Sequence, residues 1–275
     1  MIAALTTVVA AAVLAVAPAA AASATSTGWV RVAHLSPDTK AVDITLSSLS
    51  GAKAPLFKLS NVGYGAVSQY MKLQEGTYAL AMVAAGAPAG SPAVVSGQVT
   101  VSSSKAETVA AIGLNKDLTT KVFSDDLTQS AGDAARIRVV NASVKHSTIG
   151  VDAGSTTIAD GVSFGNATAY RTIGAGTAEL DLDASSTTAA ASVQLQPGTV
   201  HTVFVLDNAK GGLSVSSALD SSATTVAPIG SVATGAGAVG RADQASTTVV
   251  AGGLAGAAAI AALGLFLLLR RRVAA

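Results

Sequence analysis

The strongest constraint on this chain is that one pattern occurs in it twice. Ile137-Arg-Val-Val-Asn141 repeats Val30-Arg-Val-Ala-His34, and Val151-Asp152 repeats Val42-Asp43. Val162-Ser-Phe-Gly165, Tyr170 and Gly176-Thr177 each follow Val62-Gly-Tyr-Gly65, Tyr70 and Gly76-Thr77 at an offset of 100. Val193-Gln-Leu195 then answers Val99-Thr-Val101. Ordered matches at nearly one spacing mark a tandem duplication. Each unit of roughly 95 residues is long enough to bury its own core. The copies, residues 25–130 and 131–220, are therefore expected to fold separately.

Within each copy the apolar pattern has period two. Val30, Val32 and His34 alternate with Arg31 and Ala33, which predicts a half-buried strand closed by the turn Ser36-Pro37-Asp38. Tyr78–Val83, Thr108–Ile112, Ala178–Leu182 and Thr199–Leu206 read as further strands, and Asp207–Gly212 as a hairpin loop. Turn signals every 8–12 residues, with no long amphipathic helix between the termini, predict an all-β chain: two tandem Ig-like or transthyretin-like β-sandwich domains. An N-terminal signal segment and a C-terminal transmembrane helix complete the expected architecture.

The two ends set the address. Residues 1–24 have an apolar run to Ala17, then Pro18 and small residues that fit a signal-peptidase site at Ala22 or Ala24. Residues 249–269 are 21 uncharged residues, long enough to cross the hydrocarbon of a bilayer, and Arg270-Arg271-Arg272 follow. Arginine marks the cytoplasmic side. The tail 270–275 is thus expected inside and the repeats outside. Residues 221–248 are Ala, Gly, Ser, Thr and Val without period, and are expected to form a flexible stalk. Val232-Ala-Thr-Gly235 resembles a sortase signal in its order before helix and basic tail, but Ser231-Val232 stands where Leu-Pro is expected. Membrane retention is therefore the expectation, with cell-wall attachment as the alternative.

Charge excludes one class of partner. Between Thr25 and Thr225 there are 13 Lys/Arg and 15 Asp/Glu, so no basic face invites nucleic acid. The absence of cysteine excludes a disulfide scaffold and thiolate metal sites.

The opening Val30-Arg-Val-Ala-His-Leu-Ser-Pro-Asp38, followed by Ala41-Val-Asp43, Tyr64-Gly65 and Gly76-Thr-Tyr78, resembles the bacterial domain of unknown function 4397. That family occurs in secreted and cell-surface proteins, often in tandem. The resemblance covers Trp29 to about Asp220. The second copy departs from it, with Asn141 in place of the histidine and Ser143-Val-Lys145 in place of the Ser-Pro-Asp turn. The resemblance implies no activity.

No residue pattern assigns a catalytic, cofactor-binding or metal site, and no cofactor is expected. His34, His146 and His201 do not stand at ligand spacing from one another. His34, Ser36 and Asp38 are the residue types of a hydrolase triad, but on a strand end and turn, where Asp38 caps the turn. No Gly-x-Ser-x-Gly elbow occurs. Glu179, Asp181 and Asp183 share one strand face, which reads as a solvated face, with weak Ca²⁺ binding by Asp181 and Asp183 as the alternative. Asp125-Asp126 reads as loop. Tyr70 and Tyr170 are expected to pack in equivalent corners, and Trp29 to plug the end of the first sandwich. The resulting expectation is a non-enzymatic surface protein that presents two sandwiches for adhesion, envelope organisation or capture of an extracellular protein or glycan. The alternative is a glycan hydrolase-like envelope enzyme.

Overall fold

The computed structural model describes residues 26–50, 56–185 and 187–222. The expected signal segment, nearly all of the stalk, the membrane helix and the basic tail lie outside the described residues. Among the described residues no helix is long and apolar enough to cross a membrane.

The described residues are all-β apart from a single 3₁₀ turn at Asn115–Asp117, and each repeat has eight strands. The first contains β1 (Thr27–Leu35), β2 (Val42–Ser48), β3 (Phe57–Val62), β4 (Met71–Gln74), β5 (Gly76–Ala84), β6 (Val95–Val101), β7 (Ala106–Ile112) and β8 (Thr119–Asp125). The second contains β9 (Ala134–Asn141), β10 (Thr148–Ala153), β11 (Thr156–Ser163), β12 (Arg171–Gly174), β13 (Gly176–Ala184), β14 (Thr187–Leu195), β15 (Val200–Asp207) and β16 (Leu213–Ser221). The first repeat makes sheets ordered β4-β1-β7-β8 and β3-β2-β5-β6, and the second makes β12-β9-β15-β16 and β11-β10-β13-β14. The two orders are the same strand for strand. Among the described strands only β1–β7 and β9–β15 pair in parallel. The duplication read from sequence is thus a duplication of topology.

The register corrects one sequence match. Val42 pairs with Ala84 and Ile44 with Met82, whereas Val151 pairs with Leu182. Since Gly76 and Gly176 open equivalent strands, Ile44 rather than Val42 is the counterpart of Val151. The two Val-Asp dipeptides are therefore out of step by two residues. Asp43 is buried and accepts a hydrogen bond from Asn61 N at 2.9 Å, while Asp152 is exposed.

Each repeat has its own core between its two sheets. Val30, Val32, Ile44, Leu80, Met82 and Val109 belong to the first. Ile137, Val139, Val151, Leu180, Leu182 and Val203 belong to the second. A third cluster joins the repeats: Ala33, Leu35, Ile112 and Phe123 from the first pack with Val140, Phe204, Leu206 and Ala218 from the second. These residues lie on the faces of β1, β7, β8, β9, β15 and β16 that point away from each repeat's own core. Both repeats accordingly fall in one compact unit.

The third cluster explains a difference from the expected half-buried strand. Residue types in β1 do alternate, but every residue from Val30 to Leu35 is buried. In β15 all eight residues are buried. A central strand covered on both faces reads as a continuous apolar run, and Val203-Phe-Val-Leu206 is such a run.

Candidate functional site

Where the two repeats meet, the apolar contact gives way to a cluster of buried charges. Arg31 on β1 and Arg138 on β9 hold equivalent strand positions, and both point away from their own sandwich core. Arg31 crosses to the second repeat, where its Nη2 lies 2.7 Å from Asp220 Oδ1 and both side chains are 0% exposed. This contact lacks hydrogen-bond alignment and is an ion pair. Arg31 Nη2 also donates to Thr202 Oγ1 at 3.3 Å. Arg138 crosses the other way. It pairs with Asp125, donates to Ser124 O at 2.7 Å, and donates from Nε to Thr202 Oγ1 at 2.9 Å.

Each carboxylate is also held by its own repeat. Asp125 Oδ2 accepts from Thr108 Oγ1 at 2.6 Å and from Tyr70 OH at 2.5 Å. Asp220 Oδ2 accepts from Thr202 Oγ1 and from Tyr170 OH, both at 2.7 Å. Thr108 accepts in turn from Arg31 Nε at 2.8 Å. The Tyr70 ring lies 4.6 Å under the Arg31 guanidinium, and the Tyr170 ring 4.8 Å under that of Arg138. The four members Arg, Asp, Tyr and Thr thus occur twice, with each arginine exchanged across the interface.

The electrostatics fix the protonation states. Burial works against the charge on Arg31, but Asp220, then Tyr70 and Asp125, outweigh it and hold its pKa above the usual arginine value. Arg138 behaves alike, with burial outweighed by Asp125 first. Burial raises both tyrosine pKa values, aided by the aspartates, so the phenols stay protonated donors. Neither the two arginines nor the two tyrosines are poised to exchange a proton near neutral pH. The chemistry of the cluster is that of an architectural joint.

Further bonds close the interface at its ends. Tyr64 OH donates to Asp207 O at 3.0 Å, and Ser216 Oγ donates to Gly65 O at 2.8 Å. The connection between repeats is tied as well. Arg136 pairs with Asp126 at 2.7 Å, which holds the Asp126 carboxyl well below the usual range, and Gln129 Nε2 donates to Ser221 Oγ at 3.1 Å.

The structure does not bring the sequence candidates together. His34 is buried, and its Nε2 donates to Thr39 O at 3.2 Å and Lys40 O at 3.3 Å, not to Ser36 or Asp38. Ser36 Oγ donates to Asp38 Oδ1, which also accepts from Asn115 N at 2.8 Å, so Asp38 ties the turn to the β7–β8 connection. Asn141 does in the second repeat what His34 does in the first: its Nδ2 donates to His146 O at 3.2 Å and Val162 O at 3.0 Å. Both residues stand five before the carbonyl they hold. The backbone repeats the likeness, since Gly65 N donates to His34 O and Gly165 N to Asn141 O. Gly65 and Gly165 have φ of 79° and 73°, which only glycine adopts freely. His201 lies on β15 with Nε2 3.0 Å from Thr199 Oγ1. Burial lowers the pKa of both His34 and His201. Glu179, Asp181 and Asp183 lie along the exposed face of β13. Among the described residues no group of three His, Cys, Asp or Glu is placed to hold a metal ion. Trp29 is half-buried near the start of β1.

Sequence reasoning missed the cluster. Asp125 is not loop: it ends β8 and its carboxylate is sealed under Arg138. Tyr70 and Tyr170 do occupy equivalent corners, but as members of the polar cluster. One signal was available. Arg31 and Arg138 each stand between two apolar residues, Val30 and Val32 or Ile137 and Val139, at the same place in each copy. A charge that recurs there needs a partner, and Asp125 and Asp220 close their copies in the same way.

A cleft of about 550 Å³ reaches the edge of this cluster and is lined by Lys105, Glu107, Asp125 and Asp126. Glu107 sits beside Thr108, its Oε2 is buried without a hydrogen-bond partner, and burial and Asp125 raise its pKa.

Comparison with known proteins bears on the whole body. No curated protein matches the chain. The domain of unknown function (DUF4397) matches residues 28–152 and again residues 139–233. The two matches overlap over residues 139–152, from β9 to β10 of the second repeat, and together span both sandwiches, so the chain belongs to the DUF4397 family and carries the domain in tandem.

Proposed function

We propose that the chain is a membrane-anchored cell-surface protein whose two sandwiches are presented as one rigid body for binding, adhesion or envelope organisation. The strand orders β4-β1-β7-β8 and β3-β2-β5-β6, with β1 and β7 parallel, are read as transthyretin-like. The observation that carries the proposal is the exchanged Arg31–Asp220 and Arg138–Asp125 cluster. It commits these buried charges to holding the repeats in a fixed relation, which keeps a presented surface in one geometry and leaves the same groups engaged with one another. The signal-like start and the apolar segment before Arg270 supply the address. The test replaces residues 26–222 by an unrelated sandwich in cells that display the chain. Loss of cell adhesion or surface-ligand binding, with unchanged glycan turnover, is expected. Retention of binding by the replaced chain contradicts the proposal.

One observation favours a second reading, an envelope glycan-cleaving enzyme. The cleft beside Glu107 holds a carboxyl with a raised pKa near two other carboxylates, the arrangement that acid–base catalysis uses. Against it, Asp125 is engaged by Arg138, Tyr70 and Thr108, and Asp126 by Arg136. Release of reducing sugar from cell-wall glycan by the purified protein, abolished by Glu107→Gln, would establish this reading instead.

A further inference from the structure

We propose that a groove on the first repeat, between the edge strands β3 and β4, binds an amphiphile with an apolar tail and an anionic head. The groove has a volume of about 660 Å³, within the roughly 300–1,000 Å³ of small-molecule sites. Its walls are mainly apolar, with Leu56, Phe57, Leu59, Met71 and Leu73 among them, and its charged wall residue is Lys72. No carboxylate lines it. An apolar slot with a cation and no anion at its wall is complementary to a chain that ends in a negative group. The Met71 side chain adapts to tails of differing shape.

The groove belongs to the first repeat. Pairing places Leu46 opposite Phe57 and Ile44 opposite Leu59, while Ala153 lies opposite Thr156 and Val151 opposite Ala159. Phe57 and Leu59 therefore correspond to Thr156 and Ala159. Met71, opposite Val30, corresponds to Arg171, opposite Ile137. The second repeat also turns tightly from β10 to β11 through Gly154-Ser155, where the first has a longer connection that leaves Leu49 and Leu56 half exposed. The first copy thus carries Phe57, Leu59 and Met71 where the second carries Thr156, Ala159 and Arg171, while Leu73 and Ile173 are apolar in both.

The groove's edges argue against an added peptide strand. Lys58 and Lys72 stand on β3 and β4, and the β2–β3 pairing is broken by a bulge with Asn61 at φ 56°. Edge lysines and bulges are the devices that discourage strand addition.

The inference is independent of the surface-presentation reading, because binding can be measured on purified protein. Among the described residues the sixteen strands and three cores all lie within residues 26–222, so that segment is the body tested. The probe is dodecanoate below its micelle concentration, followed by calorimetry, with dodecanol as the uncharged control. Saturable binding of dodecanoate is expected. Leu56→Asp, at a half-exposed position, is expected to weaken it at least tenfold. Lys72→Gln is expected to weaken dodecanoate several-fold and leave dodecanol unchanged, and it keeps the test open if Leu56→Asp fails to fold. Absence of saturable binding, indifference to both variants, or binding of an acidic apolar peptide in place of dodecanoate overturns the inference.

Discussion

Arg31 and Arg138 occupy the same strand position in the two repeats, and each ends its reach on the aspartate that the other repeat supplies, Asp220 and Asp125. A face that carries both the cation and the anion matches its own duplicate. The tandem duplication therefore brought with it a ready interface. Removing one partner leaves a buried charge unpaired, which costs about 3–5 kcal/mol, whereas replacing both by apolar groups is often nearly neutral. Arg31→Met is expected to destabilise residues 26–222 by that amount in denaturant unfolding, and Arg31→Met with Asp220→Leu to recover most of the loss. A double variant as unstable as the sum of its single variants would show that the two residues are not coupled.

Tyr64 carries the interface bond that can be removed with least disturbance. Its hydroxyl donates to Asp207 O across the repeats, and the equivalent residue, Phe164, has no hydroxyl. Tyr64→Phe is expected to cost about 1 kcal/mol. A neutral result would place that bond outside the energetics of the joint.

His34→Asn tests whether the family-like opening is structural. Asn141 already makes the corresponding loop bonds in the second repeat. The substitution is expected to leave surface binding intact and to lower stability by no more than about 1–2 kcal/mol. Full loss of function with an unchanged melting curve would instead make His34 a participant in chemistry.

The histidines also set an acid limit. His34 and His201 have pKa values lowered from 6.5 by burial, so the folded state binds their protons more weakly than the unfolded chain does. Their contribution to stability is therefore full above the ordinary histidine range and is lost as pH falls through it. Glu107, with a raised pKa, acts in the opposite sense. Midpoints of thermal unfolding are expected to drop between pH 7.5 and about 5.5, before ordinary carboxylates titrate, and His34→Asn is expected to flatten that slope. A slope unchanged by the substitution would assign the acid limit to other groups.

Much of this fold was legible in the sequence, and the reason is local. Strand alternation, the glycines at Gly65 and Gly165, and the recurrence of Tyr70 at Tyr170 are short-range signals that survive duplication. What could not be read was the second covered face. Arg31 between two valines looks like the solvent side of a strand until another sheet is laid over it. Asp125, at the end of its copy, looks like the start of a linker. Long-range partners such as Asp220, 189 positions from Arg31, leave no mark in local pattern. The matching Val-Asp dipeptides misled for the converse reason, because a two-residue slip preserves alternation.

The central claim is that the repeats form one body. Each has its own core, as its length suggested, yet a separated repeat would expose Leu35, Ile112 and Phe123, or Phe204 and Leu206, beside an unpaired buried arginine. Differential scanning calorimetry of residues 26–222 tests this most directly. A single transition is predicted, with equal calorimetric and van't Hoff enthalpies. Two resolved transitions, with the midpoint of the second repeat unaffected by Arg31→Met, would contradict it.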